Sequence, residues 1–291
     1  MRGYLIRHAR TSWNEANRLQ GQADLPLSVG GRAQASCVGR HFAGRRIAAL
    51  YTSPLARSRQ TAEAIARETL ATPIIEPALA EIHLGAWEGL TGDEVDSRYD
   101  GAFQRWRLRP SHVQIPHGEP LDAFRARARD VFARIAANHR YGAPRASPGS
   151  LVARLRSASY GEASASSRGD IAPKQAFHLP PLLRRNEAAA SQRRARPWPG
   201  FPAEADGAPS ASSAEADEGE VVIVSHGGVI AAWLADWLKA DYDHVMQRLV
   251  LDNAGISAVD LHTLPPQVLW VNATTHLAQA ASARRAAKIT A

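Results

Sequence analysis

The sequence predicts an α/β fold three layers deep, with helices on both faces of a largely parallel central sheet. Two observations predict it. Short apolar runs alternate with longer stretches of helical period along the chain. Reactive polar residues recur just after the apolar runs, where a parallel sheet gathers its strand ends. A hydrophobic content of 45% over 291 residues is enough for a packed core.

The elements follow in order. Gly3 to His8 is a short apolar run and reads as a strand. Ser28 precedes a helix-like stretch to about Ala43, whose first turn Gly30 and Gly31 weaken. Ile47 to Thr52 is a second strand. Ser53-Pro54 then reads as an N-cap followed by proline at the first helical position, opening a helix to about Leu70. Pro73 to Pro77 is a short strand bounded by prolines. Residues 91–109 read as short helices rich in Trp and Arg, and Leu121 to His139 as a long amphipathic helix. Glu220 to Ser225 is a β-branched run, hence a buried strand; Val229 to Lys239 is a helix. Ile256 to Leu261 and Val268 to Val271 are further strands.

Residues 143–218 break this rhythm. They are rich in Ala, Ser, Arg, Pro and Gly and show no sustained apolar period, which is the composition of a disordered insertion rather than of a basic docking arm. The expected organisation is a core in two parts, 1–142 and 219–277, split by that insertion and followed by a tail, 278–291. The net charge of +7 and the pI near 10.0 raise the prospect of an anionic partner. The excess is local: residues 143–200 hold 10 basic and 3 acidic residues, and the remainder of the chain balances. That basic stretch lacks interleaved aromatics and any recognised motif, so no nucleic-acid partner is expected.

No run of 18 apolar residues exists, so no membrane span is expected. Met1 to Trp13 has scattered arginines and no continuous apolar region, unlike a secretion signal. Cys37 is the single cysteine and reads as a small packing residue. Together these point to the cytoplasm. The histidines do not show metal-ligand spacing, and no cofactor is implied. The sequence does not encode an oligomeric state.

Arg7-His8 ends the first strand, Ser53 and Arg57 follow the second, Glu81 follows the third, and His226-Gly227-Gly228 follows the strand at 220–225. A parallel sheet would bring all of these to one cleft. The segments "LIRHARTSWN" (5–14), "RLQGQADLPLS" (18–28), "TSPLARSRQTA" (52–62), "EIHLGAWEGLT" (81–91) and "VIVSHGGVI" (222–230) resemble, in order and spacing, the successive motifs of the histidine phosphatase superfamily. That superfamily includes cofactor-dependent phosphoglycerate mutases and many phosphatases.

The resemblance implies a phosphoglycerate mutase-like fold and a phosphohistidine formed on His8. Neutral imidazole is a competent nucleophile, and neighbouring Arg7 and Arg57 would favour the neutral form. The resemblance further implies that Arg7 and Arg57 clamp the phosphoryl oxygens, as paired guanidinium donors can. His226 would be a second phosphate ligand, with the Gly227 N–H free to approach an anion closely. Asn14 and Gln20 match family positions that hydrogen-bond the phosphate or orient the histidines. Glu81 would be the general acid and then the base that activates water, which requires surroundings that disfavour its charge.

Several residues read as structural beside these. Arg59, two positions from Arg57, points to the other side of the helix, and Thr61 shares Arg57's face as a packing residue. Glu88 in "AWEG" and Glu119 in "PHGEP" rank below Glu81; the second resembles a Gly-Glu-Ser segment with Pro120 in place of Ser. Ala9 departs from the family's glycine and is expected at negative φ, where a methyl is tolerated.

Within the family, "LQGQADLPLS" and "VNATTHL" (271–277) resemble the phosphatase branch, including alpha-ribazole phosphatase and broad-specificity phosphatases, whereas mutases more often carry Thr-Gly-Trp at the first. The expected substrate is a small phosphorylated metabolite. A mutase-type phosphotransferase and a catalytically weak binding protein of the same fold are the alternatives. Residues 87–117, with Trp87, Trp106, Arg105, Arg107 and Arg109, would cap the substrate end, Trp106 chiefly packing beneath the helices.

Overall fold

The computed structural model describes residues 1–140 and 219–278. The insertion expected over 143–218, and the tail beyond 278, lie outside the described residues. Six strands, β1 (Arg2–Arg7), β2 (Ile47–Thr52), β3 (Pro73–Ile75), β4 (Glu220–Ser225), β5 (Ile256–Asp260) and β6 (Gln267–Ala273), form one sheet in the order β3-β2-β4-β1-β5-β6. The first four run parallel; β5 is antiparallel to β1 and β6 to β5. The sheet is therefore largely parallel, as expected, with an antiparallel edge.

Strand side chains alternate between faces, so each central strand feeds two cores. Leu5, Tyr51, Val221 and Ile223 point to one side, where they meet Phe124, Val131 and Trp233. Tyr4, Ile6, Leu50, Val222 and Val224 point to the other, against Val38, Phe42 and Ile65. Burial on both faces is why these strands read as continuous apolar runs.

The first face is covered by α6 (Leu121–Arg140) and α7 (Gly227–Trp237), the second by α2 (Val29–His41) and α3 (Ala56–Thr69). This completes the three layers. Short helices α4 (Gly92–Arg98) and α5 (Ala102–Leu108) occupy the segment expected to hold them. Two further helices, α1 (Ser12–Glu15) and α8 (Tyr242–Arg248), have no counterpart in the sequence reading. Each spans only one or two turns, too few for a hydrophobic period to show.

Some boundaries move. Ser53-Pro54 does not open the second helix: α3 starts at Ala56, and its N-terminus is capped from elsewhere, with Asp24 Oδ1 accepting from Ala56 N at 2.5 Å. Ser53 serves the site instead. β1 ends at Arg7 rather than His8, although His8 N still donates to Ser225 O at 2.9 Å. The last expected helix begins two residues earlier, at Gly227, with His226 at the N-cap. Gly31 lies in the first turn of α2 because a Cβ there would come 1.9 Å from the carbonyl oxygen of Arg10. The glycine that weakens the helix on propensity lets the first loop cross it.

Candidate active site

The sheet order sets the site. β2, β4 and β1 are consecutive neighbours, with Arg7 opposite Ser225 and Thr52 opposite Val224. The residues leaving these strands, His8, His226 and Ser53, are thus adjacent by hydrogen-bond register alone. The rings of His8 and His226 lie 5.1 Å apart between centroids, with planes at 58°.

His8 is 3% exposed. Its Nδ1 is 2.8 Å from the Ala9 carbonyl oxygen, which can only accept, so Nδ1 carries the hydrogen and Nε2 keeps a free lone pair. Burial, then the charges of Arg57 and Arg7, hold the imidazole pKa well below its usual value. The main chain there is held by Asn253 Nδ2, 3.0 Å from His8 O, and by Ala9 N, which donates to Thr61 Oγ1 at 3.1 Å. Ala9 is fully buried and is not at positive φ, so its methyl strains nothing in the backbone.

His226 is fully buried. Its Nε2 lies 2.7 Å from Ser53 Oγ, while Nδ1 has no hydrogen-bond partner in the protein. Burial, followed by Arg57, His8 and Arg7, also holds this imidazole well below its usual pKa.

Arg57, in the first turn of α3, is 1% exposed, and its terminal nitrogens donate to Ala23 O and Gly21 O at 2.7 Å each. Its Nε has no partner, and neither does the Nε of Arg7, whose Nη1 donates to Leu251 O. Burial lowers the pKa of both, that of Arg57 to about 10, and a guanidinium keeps its charge at neutral pH. Two cations with unspent donors beside two neutral imidazoles make a hollow that favours an anion.

Glu81 sits against the start of α7. Its Oε2 accepts from Gly228 N at 3.1 Å and its Oε1 from Ile82 N at 2.9 Å. The chain leading to it is held by Arg127, which donates to Ala78 O and Ala80 O at 2.8 Å each and pairs with Glu119 at 2.8 Å. Glu88 accepts from Gln22 N and Leu84 N, fixing the neighbouring loop. Both rival carboxylates therefore have structural partners.

Asn14 and Gln20 are joined through Thr11, whose Oγ1 lies 3.1 Å from Asn14 Oδ1 and 2.9 Å from Gln20 Oε1. Asn14 also closes a capping box on α1. Within the protein itself, the glycine approached closely is Gly228. A Cβ on Gly227 would lie 3.5 Å from Arg7 Nε, an ordinary contact, whereas one on Gly228 would come 2.4 Å from Glu81 Oε1.

A cavity of about 290 Å³ is lined by every site residue expected from the sequence except His226, whose ring packs against that of His8. A larger hollow of about 480 Å³ lies on the far side of Arg7, against Arg10, Gln34 and Asp252; it touches neither His8, Arg57 nor Glu81. Trp87 is buried, and Trp106 both stacks on Phe103 at 6.0 Å and lines the first cavity. Arg105, Arg107 and Arg109 are exposed and do not line it.

Ser53, expected to cap a helix, and Thr61, expected to pack, both serve the site, as does Asn253, for which no role is expected from the sequence. Thr61 Oγ1 in fact bridges Ala9 N and Arg57 O, joining the His8 strand end to α3. The nearness of Ser53 and Thr61 to Arg57 in one segment was the available signal; Asn253 offered none. Among the described residues no group of three or more His, Cys, Asp or Glu is placed to hold a metal ion, and no helix is long and apolar enough to cross a membrane.

An α/β sheet that delivers an imidazole, with a second packed against it, two guanidinium groups and a carboxylate to one cleft defines an anion-holding protein of doubly wound class. The chain belongs to the histidine phosphatase superfamily (branch 1), whose model matches residues 3–144 and 148–274. Curated relatives include a protein named phosphoglycerate mutase GpmB from Photorhabdus laumondii, 37% identical over 130 residues, 43% of this chain and 59% of that protein. Phosphoserine phosphatase 1 of Hydrogenobacter thermophilus is 33% identical over 46% of this chain and 64% of its own length. Glucosyl-3-phosphoglycerate phosphatase of Mycobacterium tuberculosis is 33% identical over 46% and 60%. The chain thus spans less than two thirds of the length of these relatives. Among solved structures, a mycobacterial glucosyl-3-phosphoglycerate phosphatase with VO3 superimposes with a TM-score of 0.61 at 23% identity, covering 94% of this chain and 99% of that one. The alpha-ribazole phosphatase of Shigella flexneri gives 0.60 at 18%, covering 94% and 96%. At these identities the likeness is one of fold.

Proposed function

We propose that the protein is a cytoplasmic phosphatase that hydrolyses small phosphomonoesters through a phosphohistidine on His8. In the first step Nε2 of His8 attacks phosphorus, the bond to the ester oxygen breaks, and a proton carried by Glu81 passes to that oxygen, releasing the alcohol. In the second, water attacks phosphorus and gives a proton to Glu81. The N–P bond breaks, inorganic phosphate leaves, and neutral His8 is restored. Arg7, Arg57 and His226 hold the phosphoryl oxygens, with Asn14, Gln20 and the Gly227 N–H as further polar contacts.

The observation that carries this reading is the hydrogen bond from His8 Nδ1 to Ala9 O, which leaves Nε2 unprotonated beside two arginines. The test is hydrolysis of p-nitrophenyl phosphate. His8→Ala is expected to lower kcat by about 10³-fold or more and to abolish an acid-labile phosphoenzyme trapped by rapid quench. Equal rates for the two proteins would leave a binding protein of the same fold.

The likeness to a protein named as a mutase favours one second reading, a phosphotransferase. Product analysis separates the two: a phosphatase releases inorganic phosphate, whereas a mutase returns an isomeric ester.

A further inference from the structure

The lining of the 290 Å³ cavity is of two chemical kinds. One part is polar, with the guanidinium groups of Arg7 and Arg57 and the amides of Asn14 and Gln20. The larger part is carbon, from Leu19, Trp106, Leu121, Met246, Leu249 and Leu251. These come from the loop after α1, from α5, from the start of α6, and from α8 with the loop that follows it. Tyr242 adds a hydroxyl that burial, then Glu81, keep protonated, so it can donate without bringing a charge.

Besides Arg7 and Arg57, one cation among the described residues lines the space, Arg18. Its Nη1 is already engaged, donating to Glu94 Oε2 at 2.9 Å and to Gly89 O at 2.6 Å. Among the described residues, a carboxylate or second phosphate on the substrate would meet there only a guanidinium already paired with Glu94, and would lose hydration. An apolar body would be favoured by burial, by about fourfold for each methylene enclosed. A volume of about 290 Å³ is at the low end for a ligand cavity, so that body is compact.

We infer that the site selects phosphomonoesters of a compact, uncharged, apolar alcohol over esters that carry a carboxylate or a second phosphate. The inference rests on the phosphatase reading and specifies its substrate class.

The experiment compares kcat/KM for hexyl phosphate and benzyl phosphate with that for O-phosphoserine and 3-phosphoglycerate, all primary alkyl esters whose leaving groups are comparable. The apolar esters are expected to be turned over at least about thirtyfold better, roughly the effect of two or three enclosed methylenes. Glu94→Gln retains an oxygen to accept from Thr91 N in the capping box while discharging the partner of Arg18. It is expected to raise kcat/KM for 3-phosphoglycerate about fivefold or more and to leave hexyl phosphate within about twofold, as a released guanidinium would. Equal or better use of the carboxylated esters by the unaltered protein would overturn the inference, as would no response of 3-phosphoglycerate to Glu94→Gln. Either result, with His8-dependent hydrolysis of p-nitrophenyl phosphate intact, leaves the phosphatase reading standing. No turnover of any ester would end both.

Discussion

Ser53 Oγ and His226 Nε2, 2.7 Å apart and both fully buried, form a pair shielded from solvent, with Ser58 Oγ a more distant second partner at 3.4 Å. The hydroxyl fixes the rotation of the second imidazole and so aims its unpartnered Nδ1. Loss of a buried hydrogen bond costs about 1–2 kcal/mol. Ser53→Ala is therefore expected to lower kcat about tenfold through that ring while leaving the fold intact, as steady-state kinetics and circular dichroism on the same sample would show. An unchanged kcat would mean that the ring is held by packing alone. The contrast between Ser53 and His8 shows how much of the candidate site can be read from residue types. His8, Arg7, Arg57 and Glu81 stand out because their chemistry is reactive wherever they sit. Ser53, Thr61 and Asn253 act by holding a ring or a backbone group of another strand end, and serine, threonine and asparagine are ordinary residues in any loop.

At the start of α7, Glu81 accepts from the N–H of Gly228 at 3.1 Å, and a methyl at that glycine would have to displace the Glu81 carboxylate. Displacing a reacting group by about 1 Å can cost about 10²-fold in rate. Gly228→Ala is thus expected to lower kcat by between about 10- and 100-fold, whereas Gly227→Ala, one residue earlier, should stay within about threefold. Similar losses in both variants would place the constraint in the helix rather than at Glu81. Elements differ in legibility for a related reason. β2 and β4 were readable to the residue because burial on both faces leaves an uninterrupted apolar run bounded by polar residues. The start of α3 was misread because its cap, Asp24, comes from another loop, and local sequence carries no record of a partner 32 residues away.

Across the whole molecule, the two central imidazoles make folding sensitive to acid. Both are buried and held neutral, with folded-state pKa values well below the ordinary value of about 6.5. Above that value folded and unfolded chains are both neutral at these positions, and the stability is fully present. As the pH falls below it, the unfolded chain takes up protons that the native state refuses, and stability declines by about 1.4 kcal/mol per pH unit for each histidine until the folded pKa is reached. Urea unfolding measured between pH 6.5 and 5 should show this slope, and His8→Gln should reduce it by about one proton's worth; an unchanged slope would refute the assignment. The strand order has a different consequence, for synthesis. Among the described residues, β1 pairs with β4 and β5 alone, and β2 reaches β1 through β4. A nascent chain that has left the ribosome through residue 140 therefore carries a β2–β3 ribbon and an unattached β1 with open edges, the kind of surface that chaperones cover. Translation must reach residue 225 before the middle of the sheet exists.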